Sequence, residues 1–195
     1  MPVSPSTENY SLGKGVLKIG EWVGAAGPTY PGDYNDVGNC PEFSVEVTEA
    51  VLDHFSSRSG IKVKDKTVTL ETGYTLKFKL DEKSVLNMQM FLKATLTGTN
   101  VLLANMQLNK EYAIAFQADN PVGPNELWTF WRCKLKPDGA FSLIGEEWQS
   151  FGFSGEGLAD VDGHSSSPYF TVTFATTTTT TSTAAPTTTS VTVPG

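Results

Sequence analysis

"TGYTLKFKL", residues 72–80, alternates strictly: Tyr74, Leu76, Phe78 and Leu80 fall on one side of an extended chain, and Thr75, Lys77 and Lys79 on the other. Side chains along a strand repeat every two residues, so this stretch has one apolar and one wet face, the signature of an antiparallel sheet that covers a core on one side. Its neighbours extend the pattern. "FSVEVTEAVL" (43–52) puts Phe43, Val45 and Val47 on one face, and "IKVKDKTVTLE" (61–71) sets Ile61 and Val63 against Lys62 and Lys64. Strands are also predicted over "GKGVLKIGEW" (13–22), "EYAIAFQA" (111–118), "ELWTFWRCKL" (126–135), "GAFSLIGEEW" (139–148), "QSFGFSGEG" (149–157) and "PYFTVTFA" (168–175). Within "KPDGA", the Asp138–Gly139 pair predicts a hairpin turn, because both residue types tolerate positive φ.

One helix stands out, in "LDEKSVLNMQMFLKA" (80–94). Asp81 is placed to cap its start, Glu82 suits the positive end of the dipole, and Leu80 can pack onto Val85 across the first turn. Val85, Met88 and Leu92 recur at helical spacing and are expected to face the core, with Met88 and Met90 as gap-filling side chains. The segment "VGAAGPTYPGDYNDVGNCPEF" (23–43) is a long Gly/Pro-rich loop, and long ordered loops usually carry function. The predicted fold class is mainly β: an antiparallel β-sandwich or barrel with one flanking α-helix.

The chain of 195 residues is the size of one domain, in which roughly 70% of the unfolded surface becomes buried. Residues 1–175 are expected to form that β domain. From residue 176 the composition turns abruptly to "TTTTTTSTAAPTTTSVTVPG", a Thr/Pro-rich low-complexity tail (176–195). Its scarce apolar surface does not offset the entropy of ordering, so it is expected to be mobile or loosely attached. The start, "MPVSPSTENYSLGKG", shows neither the basic nor the apolar region of a signal peptide, and no apolar run is long enough to span a bilayer. These features predict a soluble protein made in the cytoplasm, without membrane contact.

Lys and Arg number 14 against 21 Asp and Glu, a formal net charge of -7, which disfavours a protein that grips nucleic acid through phosphates. The charge is unevenly spread: Lys62, Lys64 and Lys66 form one patch with Lys77 and Lys79, while Glu146 and Glu147 head a segment from Gly139 onward that has no Lys or Arg. Opposite patches on one chain suit head-to-tail packing of copies. The two cysteines, Cys40 and Cys133, supply neither a disulfide framework nor a metal-ligand spacing and read as reduced, partly buried thiols.

The chemistry-bearing segment is "LDHFSSRSGIKVKD" (52–65). His54 lies beside Asp53 and two residues from Ser56, too close for ordinary triad geometry, and no G-x-S-x-G elbow exists. A phosphate cradle would need a glycine-rich turn opening a helix, whereas Gly60 opens a strand. "DVDGH" (160–164) hints at a calcium loop but lacks the other acidic positions of an EF-hand. No nucleophile, base and oxyanion donor come together, so no catalysis, metal or cofactor is expected. In "LWTFWRCKL" (127–135), Leu127, Trp131, Cys133 and Leu135 share one face and Trp128 and Phe130 the other, so both faces need cover. Either the chain's own helix and loops supply it or a neighbouring subunit does, which makes Trp128, Phe130 and Trp131 candidate interface aromatics.

In order, "ENYSLGKGVLKIG", "DYNDVGNCPEFSVEV" and "LDHFSSRSGIKVKDKTVTLETGYTLKFKLDEKSVLNMQMFL" resemble the tail tube (major tail) proteins of long-tailed bacteriophages and prophages. The shared order is an early strand, a long loop ending in a Gly-Asn-x-Pro-Glu-Phe-like element, a strand, a His-Phe-Ser-Ser-x-x-Gly turn, a hairpin and a helix opening with Leu-Asp-Glu. It spans Glu8–Leu92, with the later strands matching by pattern. Cys40 inside the Gly-Asn element and the Thr-rich tail depart from it.

The resemblance implies a virion protein assembled in the host cytoplasm into hexameric rings that stack as a tail tube, with tape-measure, tail-terminator and baseplate proteins as further partners. Double-stranded DNA would pass through the lumen without specific binding. On that reading His54, Phe55, Ser56, Ser57, Arg58 and Gly60 belong to a contact loop, with Arg58 and the serines bonding to an adjoining subunit or ring. A second reading, a secreted or virion-associated carbohydrate-binding module whose tryptophans stack on sugars, rests on the Thr/Pro tail.

Overall fold

The computed structural model describes residues 7–24, 27–58 and 60–175; the Thr-rich segment 176–195 lies outside the described residues. After a short 3-10 helix at Thr7–Asn9, eleven elements follow one another: β1 (Gly15–Glu21), β2 (Asn35–Asp36), β3 (Glu42–Ser56), β4 (Val63–Leu80), α1 (Val85–Leu92), β5 (Thr95–Thr97), β6 (Val101–Leu103), β7 (Tyr112–Ala118), β8 (Glu126–Asp138), β9 (Phe151–Gly157) and β10 (Phe170–Phe174). Eight of the strands make one antiparallel sheet in the order β2-β1-β7-β8-β9-β4-β3, with β10 also on β8, and β5 pairs with β6 in a small separate hairpin. The fold is thus mainly antiparallel β with one helix, as the alternation in 72–80 predicts.

The sheet cannot be flat. Strands β3 and β7 stand four positions apart in the strand order, about 19 Å at the usual spacing. Phe43 of β3 nevertheless stacks on Phe116 of β7 with ring centroids 5.3 Å apart, and touches Phe130 of β8 edge-on. The sheet therefore folds over on itself and encloses its apolar face. Within lie Leu17 and Ile19 from β1, Tyr74, Leu76, Phe78 and Leu80 from β4, Ile114 from β7, and Phe151 and Phe153 from β9. Burying each such side chain contributes about 1.5–3 kcal/mol.

Strand β8 is the corner of this double layer. Its first half pairs with β10 and its second half with β9, on the same side. Between Phe130 and Cys133 it bulges: Trp131 and Arg132 stand opposite the single residue Ala113 of β7. A bulge inserts one residue and reverses the alternation beyond it. This corrects the two-faced reading of 127–135, since Phe130, Cys133 and Leu135 all enter the same core, at 0%, 0% and 4% exposure. The opposite face carries Ala113 and Ala115, covered by Tyr34, Tyr30 and Leu127.

The helix differs from expectation at its start. Ser84, not Asp81, is the N-cap, and its Oγ accepts the Asn87 N–H at 3.1 Å. Asp81 and Glu82 instead bind the chain before β3: Asn39 donates its side-chain amide to Asp81, and its backbone N–H to Glu82 Oε1 at 2.9 Å. The buried face is also rotated, with Asn87 and Met90 inside and Val85 47% exposed. The physical reason is the anchoring of Asn87 by the Val37 and Glu82 carbonyls, which sets Met90 inward with Met88 half-buried beside it and leaves Val85 toward solvent.

A strand predicted over 139–148 is not formed. Strand β8 runs on to Asp138, which pairs with Gly152 of β9, so residues 139–150 make an excursion between two adjacent strands. The segments 61–71 and 72–80, read as separate strands, are one continuous β4 of 18 residues.

Candidate interaction surface

Pairing of β4 with β9 covers only Thr75–Leu80. From Gly73 back to Val63, β4 pairs with β3 alone among the described residues, and β3 reciprocates from Thr48 to Ser56. The two strands project from the body as a β-arm about 30 Å long at 3.3 Å per residue. An isolated two-stranded ribbon is marginal in water, and this one is reinforced on its surface. Asp53 accepts from Lys64 Nζ at 2.7 Å and from Thr67 Oγ1 at 2.9 Å. Glu49 accepts from Thr69, and His54 Nδ1 lies 2.6 Å from Asp65 Oδ1. The Lys64 ammonium and the Thr67 hydroxyl hold the Asp53 carboxyl below its ordinary range.

Seventeen residues of β4, Val63–Lys79, stand opposite fifteen of β3, because register shifts after Ala50 and after His54 leave Leu70 and Asp65 as extra residues. These bulges reset which side chains share a face. Leu52 pairs with Val68 and Ser56 with Val63 on one face, while Val51 and Phe55 belong to the other. The arm is apolar on both faces: Val51, Leu52, Phe55, Ile61, Val63, Val68 and Leu70 are all exposed. Exposed apolar surface on this scale marks a binding site more often than a solvated face.

The predicted contact loop sits at the tip. His54, Phe55 and Ser56 end β3, and the turn closes where the Gly60 N–H donates to the Ser57 carbonyl at 3.2 Å. Gly60 has φ +80°, a conformation that disfavours side chains, and Arg58 is exposed beside it. Lys62, Lys64 and Lys66 all lie on this distal end. At the arm's root, Glu49, Glu71, Lys136 and Glu156 line an open groove of about 440 Å³ floored by Gly73, Gly155 and Gly157.

Glu146 and Glu147 are placed at the opposite end of the sheet, in the 139–150 excursion. There Leu143, Ile144 and Trp148 are 72%, 94% and 99% exposed. Reading 139–148 as a strand concealed them. The signal was a broken alternation, with Phe141 and Leu143 in one phase and Ile144 and Trp148 in the other.

The aromatics of β8 are covered by the chain's own residues. Trp128 stacks against both Phe130 and Phe170 of β10, which also touch each other, and donates Nε1–H to Glu126 at 2.7 Å. Trp131, displaced outward by the bulge, lies flat on His164 with ring centroids 3.6 Å apart and donates to the Ser167 carbonyl at 2.9 Å. His164 in turn bonds through Nδ1 to the buried Asp160 at 2.8 Å, so "DVDGH" is a turn that roofs Trp131. Phe130 is inside the core and is not available to a neighbour.

Among the described residues no group of three or more His, Cys, Asp or Glu side chains is arranged to hold a metal ion. Cys40 and Cys133 are both free thiols. Burial pushes the Cys40 thiol up to about 11 and the fully enclosed Cys133 thiol higher still, which disfavours the thiolate form of both. No helix among the described residues is long and apolar enough to cross a membrane.

A family model described as "Protein of unknown function UCP028589" matches residues 10–101, from ahead of β1 to the start of β6 and including the whole arm. No curated protein matches the chain.

Proposed function

We propose that this chain is a tail tube protein of a long-tailed bacteriophage or prophage, which self-assembles into hexameric rings stacked as a conduit for double-stranded DNA. The observation that carries the reading is the arm: 26 residues from Thr48 to Gly73 that leave the body and expose apolar side chains on both faces. A monomer gains nothing from ordering such a ribbon against water; a partner surface that removes Leu52, Ile61 and Leu70 from solvent gives it a role. The ordered set of motifs that resembles tail tube proteins runs through the same segment. The body offers a folded, closed core from which the arm can reach a neighbour without the core being disturbed.

Negative-stain microscopy of the purified protein tests the proposal. Rings or tubes are expected at high protein concentration. A monodisperse monomer that binds sugars would support the carbohydrate-binding reading instead. The feature that favours that second reading is Trp148, whose ring is 99% exposed. Trp22, under the Arg132 guanidinium, and Trp128 and Trp131 are engaged within the chain, so one tryptophan rather than a row is presented.

A further inference from the structure

Two strongly exposed apolar surfaces lie at opposite ends of the same sheet. The 139–150 excursion leaves where Asp138 pairs with Gly152 and Leu80 with Phe151. The arm tip lies at the other end of β4, seventeen residues from Leu80, about 55 Å along an extended strand. Within one copy these surfaces cannot meet.

Their chemistry is complementary. At the tip, Ile61 is 74% exposed and Val63 54%, among Arg58, Lys62, Lys64 and Lys66, with Asp65 the one acid between Phe55 and Lys66. Lys64 is occupied by Asp53, while Lys62, Lys66 and Arg58 make no ion pair among the described residues. The excursion presents Ile144 and Trp148 beside Glu146 and Glu147 and contains no Lys or Arg. Glu146 and Glu147 make no ion pair among the described residues either. An apolar centre with a basic rim on one surface therefore faces an apolar centre with an acidic rim on the other, the arrangement of a buried anchor surrounded by charges that set register. Trp148 is the side chain with the most surface to remove from water, and tryptophan is among the residues that dominate binding energy at such centres.

We infer that the arm tip of one copy docks on the 139–150 excursion of a second copy, Ile61 and Val63 packing on Ile144 and Trp148 while Lys62 and Lys66 pair with Glu146 and Glu147. The inference deepens the tube reading and rests on its premise of self-assembly. The contact is heterologous: a docked pair keeps one surface of each kind unfilled, an excursion on one copy and a tip on the other, so the same contact can repeat from copy to copy.

Charge exchange between copies tests it. Two variants, Lys62→Glu with Lys66→Glu and Glu146→Lys with Glu147→Lys, alter only exposed positions, and circular dichroism verifies that each folds. Sedimentation velocity over a concentration series should show wild-type association, with each variant weakened about tenfold or more by like-charge contact. Mixing the two variants restores association, because the acidic tip of one then meets the basic excursion of the other. Trp148→Ala weakens association without rescue by either partner. Variants that associate as the wild type does would overturn the inference while leaving the tube reading intact if rings still form. Weakening without rescue on mixing would show that these two surfaces do not meet each other. A wild type that stays monomeric at every concentration would remove both.

Discussion

Asn87 shows how one polar residue holds two parts of the chain in place. It is completely buried in α1, and its side-chain amide donates to the Val37 carbonyl at 2.9 Å and to the Glu82 carbonyl at 2.8 Å, so the helix start is tied to the loop before β3. Replacing it with Ala strands the Val37 carbonyl, while the Glu82 carbonyl still accepts from the Ser84 N–H at 3.0 Å, and a loss of about 1–3 kcal/mol is expected; a urea midpoint unchanged from the wild type would refute this. Titratable side chains predict a second effect. Burial pushes Cys40 from 9.0 to about 11 and, helped by Glu21, Tyr112 from 10.0 to about 12. In both cases the folded state favours the protonated form. The stability this supplies is complete below about pH 9 and is lost as pH rises through 11 and 12. The melting temperature should hold from pH 7 to 9 and fall from 9 to 12, and a flat profile to pH 12 would contradict the burial argument.

Strand β4 joins two environments in one element. From Thr75 to Leu80 it is paired on both edges and buries Leu76, Phe78 and Leu80; from Gly73 to Val63 it has one partner, β3. The body should therefore be indifferent to the distal part. Since Glu49 pairs with Thr72, replacing residues 50–71 by Asn-Gly would close the shortened ribbon with a two-residue turn. This variant is expected to melt within about 5 °C of the wild type, the change expected of about 1–2 kcal/mol in a chain of this size. It should also fail to self-associate. A large fall in melting temperature, or undiminished assembly, would each count against the arm as an appendage for contact. The bulges at Asp65 and Leu70 follow from the pairing: Val63 and Val68 differ in parity yet share a face, which requires an inserted residue between them.

Across the whole molecule, the proposed assembly makes a statement about its cargo. With 21 acidic residues against 14 basic ones and the tip lysines engaged by a neighbour's glutamates, a tube wall would have few cations to offer phosphates. Assembled protein is expected to show no duplex DNA binding at about 150 mM salt, where weak phosphate contacts are already suppressed. The opposing arrangement, with Lys62, Lys64 and Lys66 lining the lumen, predicts binding that falls steeply with added salt and vanishes on their replacement by Gln. A filter-binding titration on tubes separates the two.

Alternation by itself determined that this protein is an antiparallel β fold with one helix near residue 85, because Tyr74 to Leu80 and their neighbours carry a period that only a one-sided sheet satisfies. It also pointed to the tip, since Gly60 and the serines before it favour a turn between two strand-like runs. What the tertiary structure decided follows from pairings between residues far apart in the chain. The phase of β8 depends on a bulge opposite Ala113, so only the folded pairing shows that Phe130 and Cys133 enter one core and that His164 roofs Trp131. The cap of α1 depends on Asn39, which takes Asp81 and Glu82 away from the helix. Which strand edges stay bare was likewise set by where β9 stops: its pairing ends at Thr75, and everything beyond becomes an arm whose apolar side chains meet water rather than a core.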